Sequence, residues 1–279
     1  MRVYFWGVRG STPAPGSEFV RYGGFTSSVA LAHDDETLPT LILDAGTGLQ
    51  RARSTFGDQP FLGTILLTHL HWDHTHGIPF FTAGDRTDAR VAIRVPQQPD
   101  GTGALEILSR GMSPPHFPVS PDQLRGEWTF TNHQPGTEEI EGFNVTTMEI
   151  PHKGGRTFGY RVSDANSTIT YMPDHCPTQL GPGPDGWGEY HENAMALSEA
   201  SDALLHDASL VAEEVPAEAY FGHAAAEYAV ELGRRAGARR VVLFHHKPNR
   251  TDEQLDAIGN RFGPEPEVLV AAETMVLQL

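Results

Sequence analysis

Apolar residues fall in short alternating or continuous runs along most of the chain, and these runs set the predicted element order. Residues 3–6, 27–32, 40–43 and 64–67 are aliphatic, aromatic or β-branched and are bounded by Gly, Asp and Thr, which predicts four strands. Asp34, Asp35 and Glu36 separate the second run from the third as a hairpin connection, so the first sheet is expected to start antiparallel. Residues 91–95, 143–150, 158–162, 168–172, 203–205 and 240–244 repeat the strand pattern, and 268–271 and 275–277 complete it. Helical spacing is weak over 102–110 and clear over 224–235, where Gly237 supplies a stop. A helix is expected to begin within 77–83. Another follows Thr251-Asp252-Glu253-Gln254, whose capping-box spacing precedes Leu255, Ile258 and Phe262. The proline-rich segment 112–119 reads as a loop over one side of a site, followed by a helix start at 120–123. Strands interleaved with helices in this way predict an α/β fold, taken here as one domain over residues 1–279.

Chemistry concentrates where the strands stop. The run 64–67 leads into Thr68-His69-Leu70-His71-Trp72-Asp73-His74, with three imidazoles and a carboxylate inside six residues. Alternate side chains of an extended segment share a face, so His69 and His71 point the same way, while Asp73 and His74 fall in the turn that follows and reach a second ion. A lone histidine is adequately explained by one hydrogen bond in a core or on a surface. This cluster suits zinc or another borderline divalent ion, which takes nitrogen and oxygen ligands. The same placement recurs at His152, Asp174, His206-Asp207 and His245-His246-Lys247, each after an apolar run. Asp44 ends the run 40–43 ahead of Ala45-Gly46-Thr47-Gly48. It reads either as a turn cap or as a carboxylate that accepts the second N–H of a ligand histidine and fixes its tautomer. Gly7 to Pro13 is a tight loop in which Arg9, Ser11 and exposed amides offer an anion-binding nest. His116 is read as a surface histidine, with pocket lining as the alternative.

Charge and cysteine content narrow the setting. With 36 acidic against 20 basic residues the net charge is -16, which opposes nonspecific nucleic-acid binding but leaves a small anionic substrate open. The single cysteine, Cys176, excludes an intrachain disulfide and fits a reducing compartment. The first residues carry no secretory pattern and no apolar run approaches a membrane span, so a cytoplasmic location and no membrane partner are expected.

The segments Gly7-Val8-Arg9-Gly10-Ser11-Thr12-Pro13, Leu43-Asp44-Ala45-Gly46-Thr47-Gly48, His69 to His74, His152, Asp174, Gly222-His223 and Leu243-Phe244-His245-His246 together resemble the metallo-β-lactamase-fold hydrolases. Within them the chain is most similar to the branch of ribonuclease Z and its cyclic-nucleotide phosphodiesterase relatives. That resemblance implies a four-layer αβ/βα sandwich holding two divalent ions, with zinc expected and manganese or iron as alternatives. It implies that His69, His71 and His152 hold one ion, that Asp73, His74 and His245 hold the other, and that Asp174 bridges them. His246 competes with His245 for the last place, and His245 is preferred because it directly follows the strand. The paired ions would activate water for hydrolysis, with Asp73 orienting it. His223 would contact the scissile phosphate or protonate the leaving oxygen, with Asp207 polarising it. Arg9, Lys153 and Lys247 would help to hold substrate charge, and a homodimer is implied.

Two features separate this chain from the ribonuclease Z pattern. Ala224 and Ala225 stand where Ser or Thr usually follows the late Gly-His pair, and there is no extended basic, glycine-rich arm. The expected substrate is therefore a small phosphodiester such as a cyclic nucleotide, with no extended nucleic acid as partner. The alternatives are a hydrolase of the same fold acting on a thioester, lactone or sulfate ester, a tRNA 3′-processing endonuclease, and a metal-dependent binding protein without turnover.

Overall fold

Period-two alternation decides which face of a strand each side chain takes, and in this chain it sorts the apolar residues into three cores. The computed structural model describes residues 1–279. Its first six strands are β1 (Arg2–Gly7), β2 (Ser28–Ala32), β3 (Leu41–Leu43), β4 (Leu62–Leu66), β5 (Arg90–Pro96) and β6 (Glu127–His133). The next seven are β7 (Gly136–Ile140), β8 (Phe143–Ile150), β9 (Thr157–Ser163), β10 (Thr168–Met172), β11 (Ala203–Asp207), β12 (Arg240–Phe244) and β13 (Glu267–Val270), and β14 (Val276–Gln278) ends the chain. They form two seven-stranded sheets, ordered β14-β1-β2-β3-β4-β5-β6 and β13-β12-β11-β10-β9-β8-β7. Phe5, Leu41, Leu43 and Leu66 of the first sheet meet Phe158, Tyr160, Leu205, Val242 and Phe244 of the second in a shared central core. Their sequence neighbours Trp6, Ile42 and Ile65 face the opposite way, against Leu49, Ala52, Phe56 and Leu108. Leu204, Val241 and Leu243 likewise face Leu197, Tyr228, Ala229 and Leu232. The helices that supply those outer partners include α1 (Ala52–Phe56), α3 (Ala104–Ser109), α4 (Glu192–Ser198), α6 (Ala226–Ala236) and α7 (Asp252–Gly259), while α2 (Trp72–Thr75) and α5 (Val215–Glu218) are single turns. The result is the expected four-layer α/β sandwich.

β2 pairs antiparallel with β1 and β3, as the acidic hairpin connection predicts, while β3, β4, β5 and β6 run parallel. In the second sheet β10, β11, β12 and β13 are parallel. Parallel strands send their carboxyl ends to one edge, where ligands gather in open α/β sheets. β14 returns from the second half to pair with β1, Arg2 opposite Gln278.

Several elements differ from the sequence reading. β6 and β7 are additional strands, missed because their polar or half-exposed side chains, such as Thr129, Thr131, Glu138 and Glu139, carry no apolar run. α4 is also additional. The helix expected within 77–83 is instead the turn α2 followed by a 3₁₀ turn at Ile78–Phe80, after which Phe81 leaves helical geometry at ψ 84°.

Candidate metal centre

Each strand of the site edge ends in a different donor. β4 delivers His69 and His71, α2 carries Asp73 and His74, β8 leads to His152, β10 to Asp174 and β12 to His245. The donor atoms converge in three overlapping groups: His69, His71, His152 and Asp174; Asp73, His74 and His245; and Asp174, His223 and His245, with the atoms of each group within 4.8 Å of one another. Asp174 faces both sides. Its Oδ1 lies 3.5 Å from His152 Nε2 and 3.9 Å from His69 Nε2, while its Oδ2 lies 2.9 Å from His74 Nε2 and 3.1 Å from His245 Nε2. Asp73 Oδ2 lies 3.2 Å from His74 Nε2 and 3.1 Å from His245 Nε2.

The donor set fits a divalent cation on three counts. His69 Nε2 is buried and has no hydrogen-bond partner, and His74 Nε2 and Asp174 Oδ2, although 2.9 Å apart, do not meet in hydrogen-bond geometry, a costly state unless something else meets them. Burial, together with the neighbouring His74, holds the His69 imidazole well below its usual value, so its nitrogen is a neutral donor. Burial pushes the Asp174 carboxyl up, but His245, His74 and His69 outweigh it and keep the group ionised. Around His74 burial is outweighed by Asp73, Asp44 and Asp174, which raise its pKa well above normal; the local excess of negative charge calls for a cation.

The free nitrogens are set by what holds the other side of each ring. His152 Nδ1 donates to the carbonyl of Gly222 at 2.8 Å, and His74 Nδ1 donates to Asp44 Oδ2 at 2.8 Å. Thr68 Oγ1 donates to Asp44 at 2.9 Å and receives His69 Nδ1 at 3.0 Å. Asp44 therefore orients one histidine of each group, His74 directly and His69 through Thr68, rather than the single histidine expected from the sequence. Its carboxylate also accepts the Thr68 amide at 2.7 Å and the Tyr171 hydroxyl at 3.0 Å. Such partners of metal-binding histidines fix tautomer and ring orientation.

Backbone geometry at the site is specialised. Asp44 and His245 sit at φ 63° and 58°, a left-handed conformation that costs a non-glycine residue about 1–3 kcal/mol and is retained where function fixes the chain. Gly10 allows the His245 ring to approach, because a Cβ there would lie 2.3 Å from it. Gly46 does the same for α2, since its Cβ would fall 2.1 Å from the Asp73 carbonyl oxygen.

A family profile described as the beta-lactamase superfamily domain matches residues 40–246, the span that contains every donor. The chain belongs to the metallo-β-lactamase superfamily. A ribonuclease Z of Gemmatimonas aurantiaca is 22% identical over 294 residues, covering 91% of this chain and 90% of that protein. Among solved structures, the metallo-β-lactamase-fold protein YhfI of Bacillus subtilis superposes with a TM-score of 0.70 at 19% identity, covering 99% of this chain and 98% of that one. Human tRNase Z, short form, gives 0.67 at 20%, covering 100% and 99%. The protein is thus a metal-dependent hydrolase of this superfamily, and no helix is long and apolar enough to cross a membrane.

Within this metallo-β-lactamase framework His223 occupies the groove beside the donors. Its Nδ1 lies 3.0 Å from Asp207 Oδ2 and 3.7 Å from Asp174 Oδ1, and its side chain is 12% exposed. Burial lowers its pKa, but Asp207, Asp174 and Asp73 raise it to about 9. Asp207 is itself fixed by the backbone amides of His175, Ser209 and Ala224 at 3.0–3.2 Å.

Other candidate positions and neighbouring histidines fall elsewhere. Arg9 does not face the groove: it is fully buried, its Nε donates to the Gly23 carbonyl and its Nη1 to those of Lys247 and Arg250. Nor is its loop an anion nest, because the Ser11 amide donates to Asp73 Oδ2 at 2.6 Å. His246 points away and donates from Nε2 to the Ala271 carbonyl, which leaves His245 as the residue at the donor set. Lys247 borders the groove but is paired with Glu214 and Glu218. Lys153 is exposed and donates to the Tyr220 carbonyl. His116 lines a neighbouring cavity, His76 stacks on Trp72, and His175 bonds to His206. The sequence assigns no role at the site to Thr68 or Tyr171. Thr68 adjoins the motif and could have been found; Tyr171 lies inside a strand with no local signal.

Proposed function

We propose that the protein is a phosphodiesterase that holds two divalent ions and cleaves a small phosphodiester, a cyclic nucleotide being the leading class. His69, His71 and His152 would hold one ion and Asp73, His74 and His245 the other, with the Asp174 carboxylate facing both sets. The observation that carries the reading is the Asp174 carboxylate, whose two oxygens face separate sets of imidazoles, next to His223 in an open groove. Bound there, a pair of divalent ions, zinc by the nitrogen-rich donor set, would activate water at neutral pH and offset the charge developing on the attacked phosphate.

The chain's own residues complete the chemistry. Asp207 accepts the Nδ1 proton of His223 and leaves Nε2 for the groove, where a protonated ring donates to the leaving oxygen. Lys247 spends its charge on Glu214 and Glu218, and Arg9 is buried against carbonyls, so the substrate's negative charge falls to the ions and His223. A single-charge diester suits that supply better than a long polyanion, given a net charge of -16. The second reading, cleavage of precursor tRNA, is favoured by relatives named ribonuclease Z that align over nearly the whole chain. The experiment compares kcat/KM for cyclic nucleotides, bis(p-nitrophenyl) phosphate, precursor tRNA, a thioester and a lactone at fixed metal content. Cyclic nucleotides are expected to lead. Preference for precursor tRNA would move the substrate to the second reading, and a thioester or lactone ahead of every phosphodiester would overturn the reaction class.

A further inference from the structure

A second cavity, of about 680 Å³, opens beside the donor groove, and Leu70 and Trp72 line both. That volume lies within the roughly 300–1,000 Å³ typical of small-molecule sites. Trp72 is the aromatic residue common to both. It stands between two metal donors, His71 and Asp73, yet it is 72% exposed, and its indole stacks on His76 with centroids 5.3 Å apart and planes at 21°, which fixes its orientation. Phe80 and Phe117 add an aromatic wall in edge-to-face contact at 5.9 Å, and Phe80 is half-exposed.

The polar lining says what the cavity does not hold. Arg110 is paired with Glu106 at 3.2 Å and Arg156 with Glu149 at 2.8 Å, so a second phosphate here would compete with a carboxylate at each guanidinium. Gln98 donates its amide to the Pro96 carbonyl at 2.8 Å, which turns its own carbonyl oxygen into a free acceptor. Aromatic faces, paired cations and an amide acceptor favour a flat, uncharged ring that carries an amino edge.

Resting on the phosphodiester reading, we propose that this cavity is a nucleobase subsite, in which a base stacks on the Trp72 face left free by His76 while its phosphate lies in the donor groove that Trp72 also lines. Base–aromatic stacking is sequence-tolerant because every base has a π-face, so the subsite selects nucleotides over simple alkyl diesters more than it selects one base.

The test is calorimetric binding of adenosine 5′-monophosphate, methyl phosphate and butyl phosphate to the metal-loaded full chain and to its Trp72→Ala and Phe117→Ala variants. The affinity ratio of adenosine monophosphate to methyl phosphate is taken within each variant, so that any loss of metal or fold cancels. The unaltered protein should prefer the nucleotide, and each substitution should shrink the preference by roughly 5- to 100-fold, the size of one lost stacking contact. Ratios unchanged in both variants, while bis(p-nitrophenyl) phosphate is still hydrolysed, would overturn the subsite and leave the phosphodiester reading intact. Butyl phosphate binding as tightly as the nucleotide would also overturn it, since an apolar chain would then suffice. A Trp72-sensitive preference in a protein that hydrolyses no phosphodiester would support the subsite and sink the reaction class beneath it.

Discussion

The first sheet supplies its donors from one place, His69, His71, Asp73 and His74 inside six residues after β4, whereas the second supplies His152, Asp174, His223 and His245 from separate connections. The two arrangements are secured differently. Two of the contiguous donors hang on one buried carboxylate, Asp44, which takes His74 directly and His69 through Thr68, while Asp73 accepts the Ser11 amide. The scattered donors have individual anchors: the Gly222 carbonyl for His152, Asp207 for His223 and the cleft at Gly10 for His245. A motif concentrated in sequence thus shares one outside support between two of its donors, while a dispersed one draws its precision from the fold. Asp174 belongs to the second sheet but contacts donors from both.

The largest expected effect lies at that seam. Asp174→Ala removes the oxygens that face both groups, so turnover should vanish and both ions should be lost from the purified variant, as read by elemental analysis. A variant that kept two ions would break the assignment of Asp174 as the bridge. His223→Ala tests a second-sheet residue proposed to act on substrate rather than on the ions: turnover should fall about 10²–10⁴-fold with metal content unchanged. If metal fell in step with activity, His223 would instead be a ligand, as its grouping with Asp174 and His245 also allows geometrically.

Asp44→Asn probes the shared support of the first sheet. Metal affinity should drop about 10–100-fold, as for other partners of ligating histidines, and chelator competition should show both binding steps weakened. Weakening of only one step would mean that Thr68 does not carry the orientation of His69.

The smallest effect concerns a contact between the sheets that no donor group includes. His133 at the end of β6 bonds through Nε2 to Thr147 Oγ1 of β8 at 2.8 Å, and burial lowers its pKa to about 4. The unfolded chain takes up this proton near pH 6.5 and the folded chain only near 4. The stability contributed by neutral His133 is present above pH 6.5 and is lost as the pH falls from there through 4. Melting temperatures recorded across that window should fall more steeply for the unaltered chain than for His133→Gln, and parallel curves would show that His133 does not titrate as described.

Legibility followed the same division. The contiguous motif stood out because imidazoles rarely crowd after an apolar strand, and the dispersed donors were visible only through a recurring position, the residue after a strand. That rule located His152, Asp174 and His245, but it could not separate His245 from His246, because the positive φ that turns one ring into the site and leaves the other against Ala271 has no mark in the residue type. Arg9 misled for a related reason: a lone arginine in a glycine-rich loop is equally suited to an anion and to backbone carbonyls, and here the carbonyls of Gly23 and Arg250 take it. The sheet edges β6 and β7 are hidden by their exposure, and nothing in the residue type of Trp72 marks the cavity it lines beside the groove.

The central claim is a two-ion centre built jointly by the sheets, and it is tested most directly by metal stoichiometry in active protein. Elemental analysis of the purified chain, paired with its phosphodiesterase rate as metal is withdrawn by a chelator and restored, should find close to two divalent ions per chain at full activity. The circular dichroism of the sandwich should be largely unchanged when both are removed, since the three apolar cores lie within and outside the sheets rather than at the site. Full activity with one ion or none would contradict the account.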